Sequence, residues 1–478
     1  MKYFWTRYLA NYPDVILYML QDTEYKLDRY LSWYHRTDDF RKVMKRRHLE
    51  VTQKVKLLRL VLWSMWIVMV IILACCVYIS NVSQSYMWGL IGIAVVLILP
   101  FVLAYGIIIP LFIGRLLIQI PKEKKMIVQA KVILKNHKGK KIAVVGSYGK
   151  TTAKEILATV LGEGLKVAST PGNMNTAIGI SRFARKLKGD EDVLIIELGE
   201  EKLGDIEKLC ELSSPNMGII TGINEAHLQS FKNLDNTVKT IFSLVDYLGD
   251  KPVYKNKENI LVLKNTEKDD EYLYDKHGVK GWVVSDIKTS IEGTHFIATS
   301  GTKKVHSKTG LIGRQTIGVT VACIDIADNL GLTEKQITEG LSQVMPFEHR
   351  MEPRKLHGAW IIDDTYNGNS DGVRSGLEFL ASVDAKRRIY VTPGLVEQGD
   401  KTRQVHHAIG NLAGKSADLI VLMNNSVTDY IVSGIHKSGF KGKIMIIDNP
   451  LEFYTNLEHF VAAGDVVLMQ NDWTDNYA

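Results

Sequence analysis

From Leu60 to Gly114 the chain has no Asp, Glu, Lys or Arg at all. So long an apolar run exceeds one buried helix, and Ser80-Asn81-Val82-Ser83-Gln84-Ser85 breaks it near the middle. The pattern predicts two transmembrane helices, near Leu60–Ile79 and Tyr86–Ile108, joined by a short polar hairpin. Pro100 and Pro110 would kink or end the second. The apolar segment begins late and is doubled, which argues against a cleaved leader peptide. Cysteine is also scarce: the four residues have no metal-ligand spacing and form no disulfide framework, as suits a reducing compartment.

A net charge of +7 would suit nucleic acid. The basic residues, however, concentrate at Arg41 to Lys56 and Arg115 to Lys141, on either side of the apolar run, and the hairpin carries none. That is the pattern of a two-pass cell-membrane protein with both termini and its large domains in the cytoplasm, and no nucleic-acid partner is expected. The stretch Thr23 to His48, aromatic and charged with both signs, reads either as an amphipathic helix on the inner leaflet or as a solvated helix. The expected divisions are 1–56 juxtamembrane, 57–120 membrane hairpin, 121–345 central domain entered through a basic linker (Pro121 to Lys141), and 346–478 C-terminal domain.

What is present centres on Lys141 to Leu157, KIAVVGSYGKTTAKEIL, an apolar strand running into a glycine turn and out as a helix. Gly146 and Gly149 permit a tight loop with inward N–H groups, Lys150 supplies a cation, and Thr151 and Thr152 open the helix, Thr151 offering a hydroxyl to Mg²⁺. Val144 stands where the longer phosphate-loop pattern needs glycine, so the motif is the shorter G-x-x-G-K-T; such a turn also serves as a plain connector. Apolar runs at Ile142–Val145, Val193–Ile196, Met217–Ile220 and Ile260–Leu263 predict an α/β domain with a mostly parallel sheet. Ligands of such sheets lie beyond the strands' carboxyl ends, where Glu197 and His227 fall, a carboxylate and an imidazole that would suit one metal.

The series G-S-Y-G-K-T-T, T-P-G-N-M-N, I-E-L-G and N-E-A-H-L-Q-S-F, in this order and spacing, resembles the ATP-dependent Mur ligases, above all those that add D-alanyl-D-alanine in peptidoglycan synthesis. The likeness runs from about Lys140 to the C-terminus. It implies a central P-loop ATPase domain and a Rossmann-like C-terminal α/β domain, with ATP and Mg²⁺ as cofactors. Lys150 and Thr151 would hold phosphates and Mg²⁺, Asn173 and Asn175 would flank the acyl-phosphate site, and Glu197 with His227 would bind a second Mg²⁺. Further along, Arg350 matches an arginine that reaches the phosphates. Asp364, Tyr366 and Asn367 match the D-x-Y-N-x-N motif near the nucleotide, and Glu397-Gln398-Gly399 and His406 with Gly410 match two weaker elements.

The chain departs from the family at four places. The lysine that is carbamylated between the two metals falls on Ile241, and Lys239 is the nearest lysine available for that role. The adenine-site segment reads Gly313-Arg314-Gln315-Thr316-Ile317-Gly318-Val319, and a C-terminal lysine is missing from Gly464-Asp465-Val466-Val467-Leu468-Met469-Gln470-Asn471-Asp472. The membrane hairpin occupies the place of the UDP-sugar domain. The expected activity is a membrane-anchored amide ligase joining an amino acid or dipeptide to a cell-wall precursor, UDP-linked or lipid-linked, in a cell-wall synthesis complex. A ligase extending a poly-amino-acid or folate-like tail, and a catalytically degenerate nucleotide-binding scaffold, are the alternatives.

Overall fold

The computed structural model describes residues 3–43, 48–224, 231, 233–366, 368–396 and 398–471. His227, Asn367, Glu397 and Asp472 lie outside the described residues. The chain divides into two compact units, the boundary following Glu123.

In the first unit, helices Gln53–Ser83 and Tyr86–Gly106 form the hairpin, and the first is seven residues longer at its start than the apolar run alone would suggest. Thr52 caps it by accepting a hydrogen bond from the Val55 amide (3.2 Å), and Gln84 closes it in the left-handed conformation at φ 48°. Helical structure continues past both prolines, through Ile108–Gly114 and into Ile120–Asn136. A proline inside a helix frees backbone groups, which neighbours can satisfy. Near Pro100, the carbonyls of Leu97, Pro100 and Ala104, which are not the ones the prolines free, accept from the hydroxyls of Tyr8 (3.1 Å), Tyr12 (3.3 Å) and Tyr30 (2.9 Å). By length and composition both long apolar helices can cross a membrane.

The residues before the hairpin differ from the single surface helix expected. They form two short helices, Tyr12–Asp22 and Leu27–Arg36, whose Ile16, Leu17, Met19, Leu20 and Tyr30 are fully buried with Val55, Leu62, Leu103 and Ile107. The apolar face therefore packs on protein, so it is neither solvated nor open to a leaflet.

The second unit holds three sheets. In the first, β1 (Lys140–Val145), β2 (Val167–Ser169), β3 (Val193–Glu197), β4 (Met217–Ile220), β5 (Val253–Asn256) and β6 (Leu273–Tyr274) run parallel in the order β2-β3-β1-β4-β5-β6. Next comes an antiparallel sheet of β7 (Gly278–Val279), β8 (Trp282–Ser290), β9 (Gly293–Ser300) and β10 (Lys303–Thr309). The third sheet comprises β11 (Glu352–Leu356), β12 (Ala359–Asp364), β13 (Arg387–Thr392), β14 (Leu419–Met423), β15 (Lys443–Ile447) and β16 (Asp465–Gln470), ordered β11-β12-β16-β13-β14-β15. Only β11 runs antiparallel.

Two expectations need correction. The linker from Pro121 is mostly helix, because Pro121 suits a helix's first turn and Ala130 and Leu134 bury against the central core. Ile260–Leu263 is also helical, within Ile260–Lys264, and the strand lies earlier, at β5. A four-residue apolar run has no period of its own, so its N-cap decided: Asn259 accepts from the Val262 amide at 3.0 Å.

Asn259 also donates to the Ile223 carbonyl (2.9 Å) and to the Tyr148 hydroxyl (3.2 Å). Asn259→Ala would orphan the buried Val262 amide and Ile223 carbonyl, so we expect about 2–3 kcal/mol of lost stability, read as a lower thermal midpoint of the detergent-solubilised protein.

Candidate active site

The glycine turn between β1 and helix Lys150–Leu161 is braced by the end of β4. Ser147 N donates to Gly222 O at 2.8 Å, and the Thr221 hydroxyl bonds Tyr148 O and reaches Val145 O at 3.1 Å. Gly146 sits at φ 141°, and a Cβ there would collide with the Thr221 hydroxyl; Gly149 caps the helix at φ 75°. Only glycine fits both demands, and the result is a cradle of free amides at a helix N-terminus.

Lys150 lies in this cradle, bonding the Gly146 carbonyl and ion-paired with the buried Glu200 at 3.0 Å. Thr151 donates to Glu197 Oε2 at 2.9 Å, and Asn175 Nδ2 donates to Glu197 Oε1 at 3.0 Å. Thr152 is half-buried one residue on. A cation, a hydroxyl and an acidic oxygen converging on a glycine cradle are the donor set of a polyphosphate carrying Mg²⁺, so the residues present fit both groups.

The C-terminal sheet closes over this floor. Arg350 Nη2 donates to the Thr151 hydroxyl at 3.3 Å, and its guanidinium stacks 4.4 Å from the Tyr366 ring centroid. Asn173 Nδ2 in turn reaches the Tyr366 hydroxyl at 3.3 Å. Arg350 is aimed by a strained turn, since His349 and Met351 on either side hold φ of 58° and 48°. Three carboxylates hold that turn: Glu352 accepts from His349 N (3.1 Å), Asp363 pairs with His349 Nδ1 (2.9 Å), and Asp364 accepts from Met351 N (3.2 Å).

The structure thus brings Lys150, Thr151, Asn173, Asn175, Glu197, Arg350, Tyr366 and, through the turn, Asp364 into one site. Lys239 is different. It is exposed on helix Leu234–Leu248, while Ile241 is wholly buried in the core, and among the described residues no hydrogen bond or ion pair joins Lys239 to Glu197 or Thr151. His406 serves the fold: its Nε2 accepts from Leu395 N (2.9 Å), Nδ1 donates to Thr402 O (2.6 Å), and burial lowers its pKa, keeping it neutral. Sequence reasoning missed Glu200 and Lys154. The only signals were a second acid three residues beyond Glu197 and a lysine on the buried face of an apolar helix.

Asp364 accepts a hydrogen bond from Gln470 Nε2 at 2.8 Å, at the position of the missing C-terminal lysine. With a neutral donor there, burial pushes the Asp364 carboxyl up to about 6. A folded-state pKa above the unfolded value means that Asp364 favours folding most below about pH 4 and loses that contribution as pH rises through 6. Between pH 4.5 and 7.5 we expect the wild type to lose about 2 kcal/mol relative to Asp364→Asn. Gln470→Lys should pull the carboxyl down and flatten this pH dependence in thermal melts.

Comparison with known proteins agrees with this geometry. Residues 144–327 match the Mur ligase middle domain, and residues 349–470 match the Mur ligase glutamate ligase domain. The UDP-N-acetylmuramoyl-tripeptide–D-alanyl-D-alanine ligase of Buchnera aphidicola is 29% identical over 319 residues, covering 64% of this chain and 69% of its own. The ligase of the same name from Bacillus subtilis is 23% identical over 352 residues, covering 71% and 75%. Among solved structures, MurF from Acinetobacter baumannii overlays with a TM-score of 0.64 at 21% identity, covering 73% of this chain and 77% of that one. MurF from Thermotoga maritima in complex with ADP gives 0.63 at 24%, covering 73% and 80%. Through these two domains, which hold every residue of the site described above, the chain belongs to the Mur ligase family.

Proposed function

We propose that this protein is a membrane-anchored, ATP-dependent amide ligase that joins D-alanyl-D-alanine to a muramyl-tripeptide cell-wall precursor. The observation that carries the reading is the Thr151 hydroxyl shared between Glu197 and Arg350 above the Lys150 cradle. Relatives named for this reaction support the choice of dipeptide and acceptor. The two long apolar helices, with basic flanks and an uncharged turn, support the anchor.

The chain's own residues account for the chemistry expected of such a ligase. Lys150 in the cradle and Arg350 beside Thr151 offset the charge that builds on the oxygens of the transferring phosphoryl group as the substrate carboxylate attacks. Bound Mg²⁺, held by Thr151 and Glu197, would supply further neutralisation. Asn173, bridging to Tyr366, lines the place where an acyl phosphate would await the incoming amine, and closure of the C-terminal domain there limits hydrolysis.

A lipid-linked acceptor is the stronger form of the proposal, since two membrane helices stand where a UDP-sugar domain is expected. A nucleotide-binding scaffold without turnover is the second reading, favoured by the buried Ile241 at the bridging-lysine position.

Phosphate release by the detergent-solubilised protein tests these readings, with D-alanyl-D-alanine and muramyl-tripeptide supplied in UDP-linked or lipid-linked form. Release that requires both substrates and falls at least a hundredfold in Lys150→Ala is expected. ATP binding without release under any acceptor would favour the scaffold, and equal use of both carriers would remove the lipid-linked form. Glu200→Gln, which frees Lys150 from its ion pair, should tighten binding of a fluorescent ATP analogue about three- to tenfold.

A further inference from the structure

Four residues beyond Lys150, on the same helix, stands a second lysine that nothing above uses. Lys154 is wholly buried, and its ammonium donates to the carbonyls of Thr170 and Gly172, both at 2.7 Å. It also lies 3.4 Å from Glu197 Oε2 and 3.2 Å from Glu155 Oε1. An ammonium buried so fully is a heavy desolvation cost unless every N–H is met, and here acceptors from three elements meet it.

Those acceptors belong to the parts that must be aligned for the reaction. Thr170 and Gly172 begin the loop that carries Asn173 and Asn175, and Gly172 turns at φ 50°. Other ties also reach the loop: Thr170 N donates to Ile195 O at 3.0 Å, Glu197 N to the Thr170 hydroxyl at 3.0 Å, Asn175 Nδ2 to Glu197 Oε1, Gly199 N to Asn175 O at 2.8 Å, and Asn173 Nδ2 to the Tyr366 hydroxyl. A compact cation that fastens two carbonyls of this loop, on either side of Pro171, to the phosphate-loop helix sets the distance between Asn173 and the phosphates. It also fixes which way Glu197 points.

We propose that Lys154 is a positioning residue that locks the Thr170–Asn175 loop and the Glu197 carboxylate onto the phosphate-loop helix, so that the acceptor side of the site is held in register with the nucleotide side. The inference rests on the ligase reading for its kinetic consequence but not for its structural one. It predicts a split: metal-free nucleotide is held by the cradle, Lys150 and Thr151, none of which Lys154 touches, whereas the acceptor side and the Glu197 carboxylate depend on Lys154.

The test is Lys154→Met in the full-length, detergent-solubilised protein. Fluorescent ATP analogue binding without Mg²⁺ should stay within threefold of wild type. Hydrogen exchange at the Met174 and Asn175 amides should rise at least tenfold, with amides 146–152 unchanged. With D-alanyl-D-alanine and the UDP-linked muramyl-tripeptide, the acceptor KM should rise at least tenfold and kcat fall about a hundredfold. Unchanged exchange in the loop overturns the inference, as does a loss spread equally over nucleotide binding and turnover. If Lys154→Met does not fold, Lys154→Gln, which keeps two N–H donors, is read the same way; failure of both to fold assigns Lys154 to the fold alone and also overturns it. A wild type that shows no acceptor-dependent release defeats the ligase reading, while the exchange measurement still decides the role of Lys154.

Discussion

Glu197 ends β3 with only 2% of its surface exposed, and a carboxylate in that position has to be matched. Its two oxygens recruit separate parts of the chain: Oε2 faces Thr151 and Lys154 of the phosphate-loop helix, and Oε1 takes Asn175 from the following loop. Satisfying one buried charge therefore assembles the floor of the site before any ligand arrives. The parallel sheet makes this possible by ending β1, β3 and β4 side by side, with Val144 in register with Glu197 on one side and Ile219 on the other.

The roof depends on a different economy. Arg350 reaches down only because its neighbours His349 and Met351 accept left-handed backbone, which costs on the order of 1–3 kcal/mol per residue. Glu352, Asp363 and Asp364 compensate with hydrogen bonds, and Asp363 is itself matched by Arg354. Asp364 is met by the neutral Gln470 side chain and the Met351 amide, so the charge state of the roof is softer than that of the floor. Binding a polyphosphate would draw Arg350 further toward the cradle, and the same turn would carry that pull into β12.

The parts of this architecture that show in the sequence are those whose chemistry is local. The glycine turn and its lysine and threonine are specified by conformation and donor type within seven residues, and β1, β3 and β4 each end in the turn or polar cluster that the site motifs mark. Ile260–Leu263 was misread because four apolar residues carry no period, and the cap that made them helical is a contact of Asn259. The two N-terminal helices look amphipathic in isolation, and what shows that their partner is protein is their shared core with the apolar helices and the Tyr12 and Tyr30 hydroxyls that meet carbonyls of the second one. Lys154 and Glu200 were invisible for the same reason: burial of a charge is a property of what surrounds it, and their acceptors come from 16 to 50 residues away.

Every contact that builds the floor and roof lies within residues 124–472, so the proposed bond-forming chemistry asks nothing of the N-terminal unit. An anchor of that kind acts on encounter. Confining enzyme and a membrane-borne acceptor to one surface raises their effective concentration, as a short linker does for two tethered modules. It lowers the apparent KM for a lipid-linked acceptor and leaves the turnover of a bound one untouched. A soluble UDP-linked acceptor gains nothing from such confinement. If the hairpin is the proposed anchor, a lipid-linked acceptor gains a kinetic advantage that a UDP-linked one lacks, and that asymmetry is the physical argument behind the lipid-linked form of the proposal.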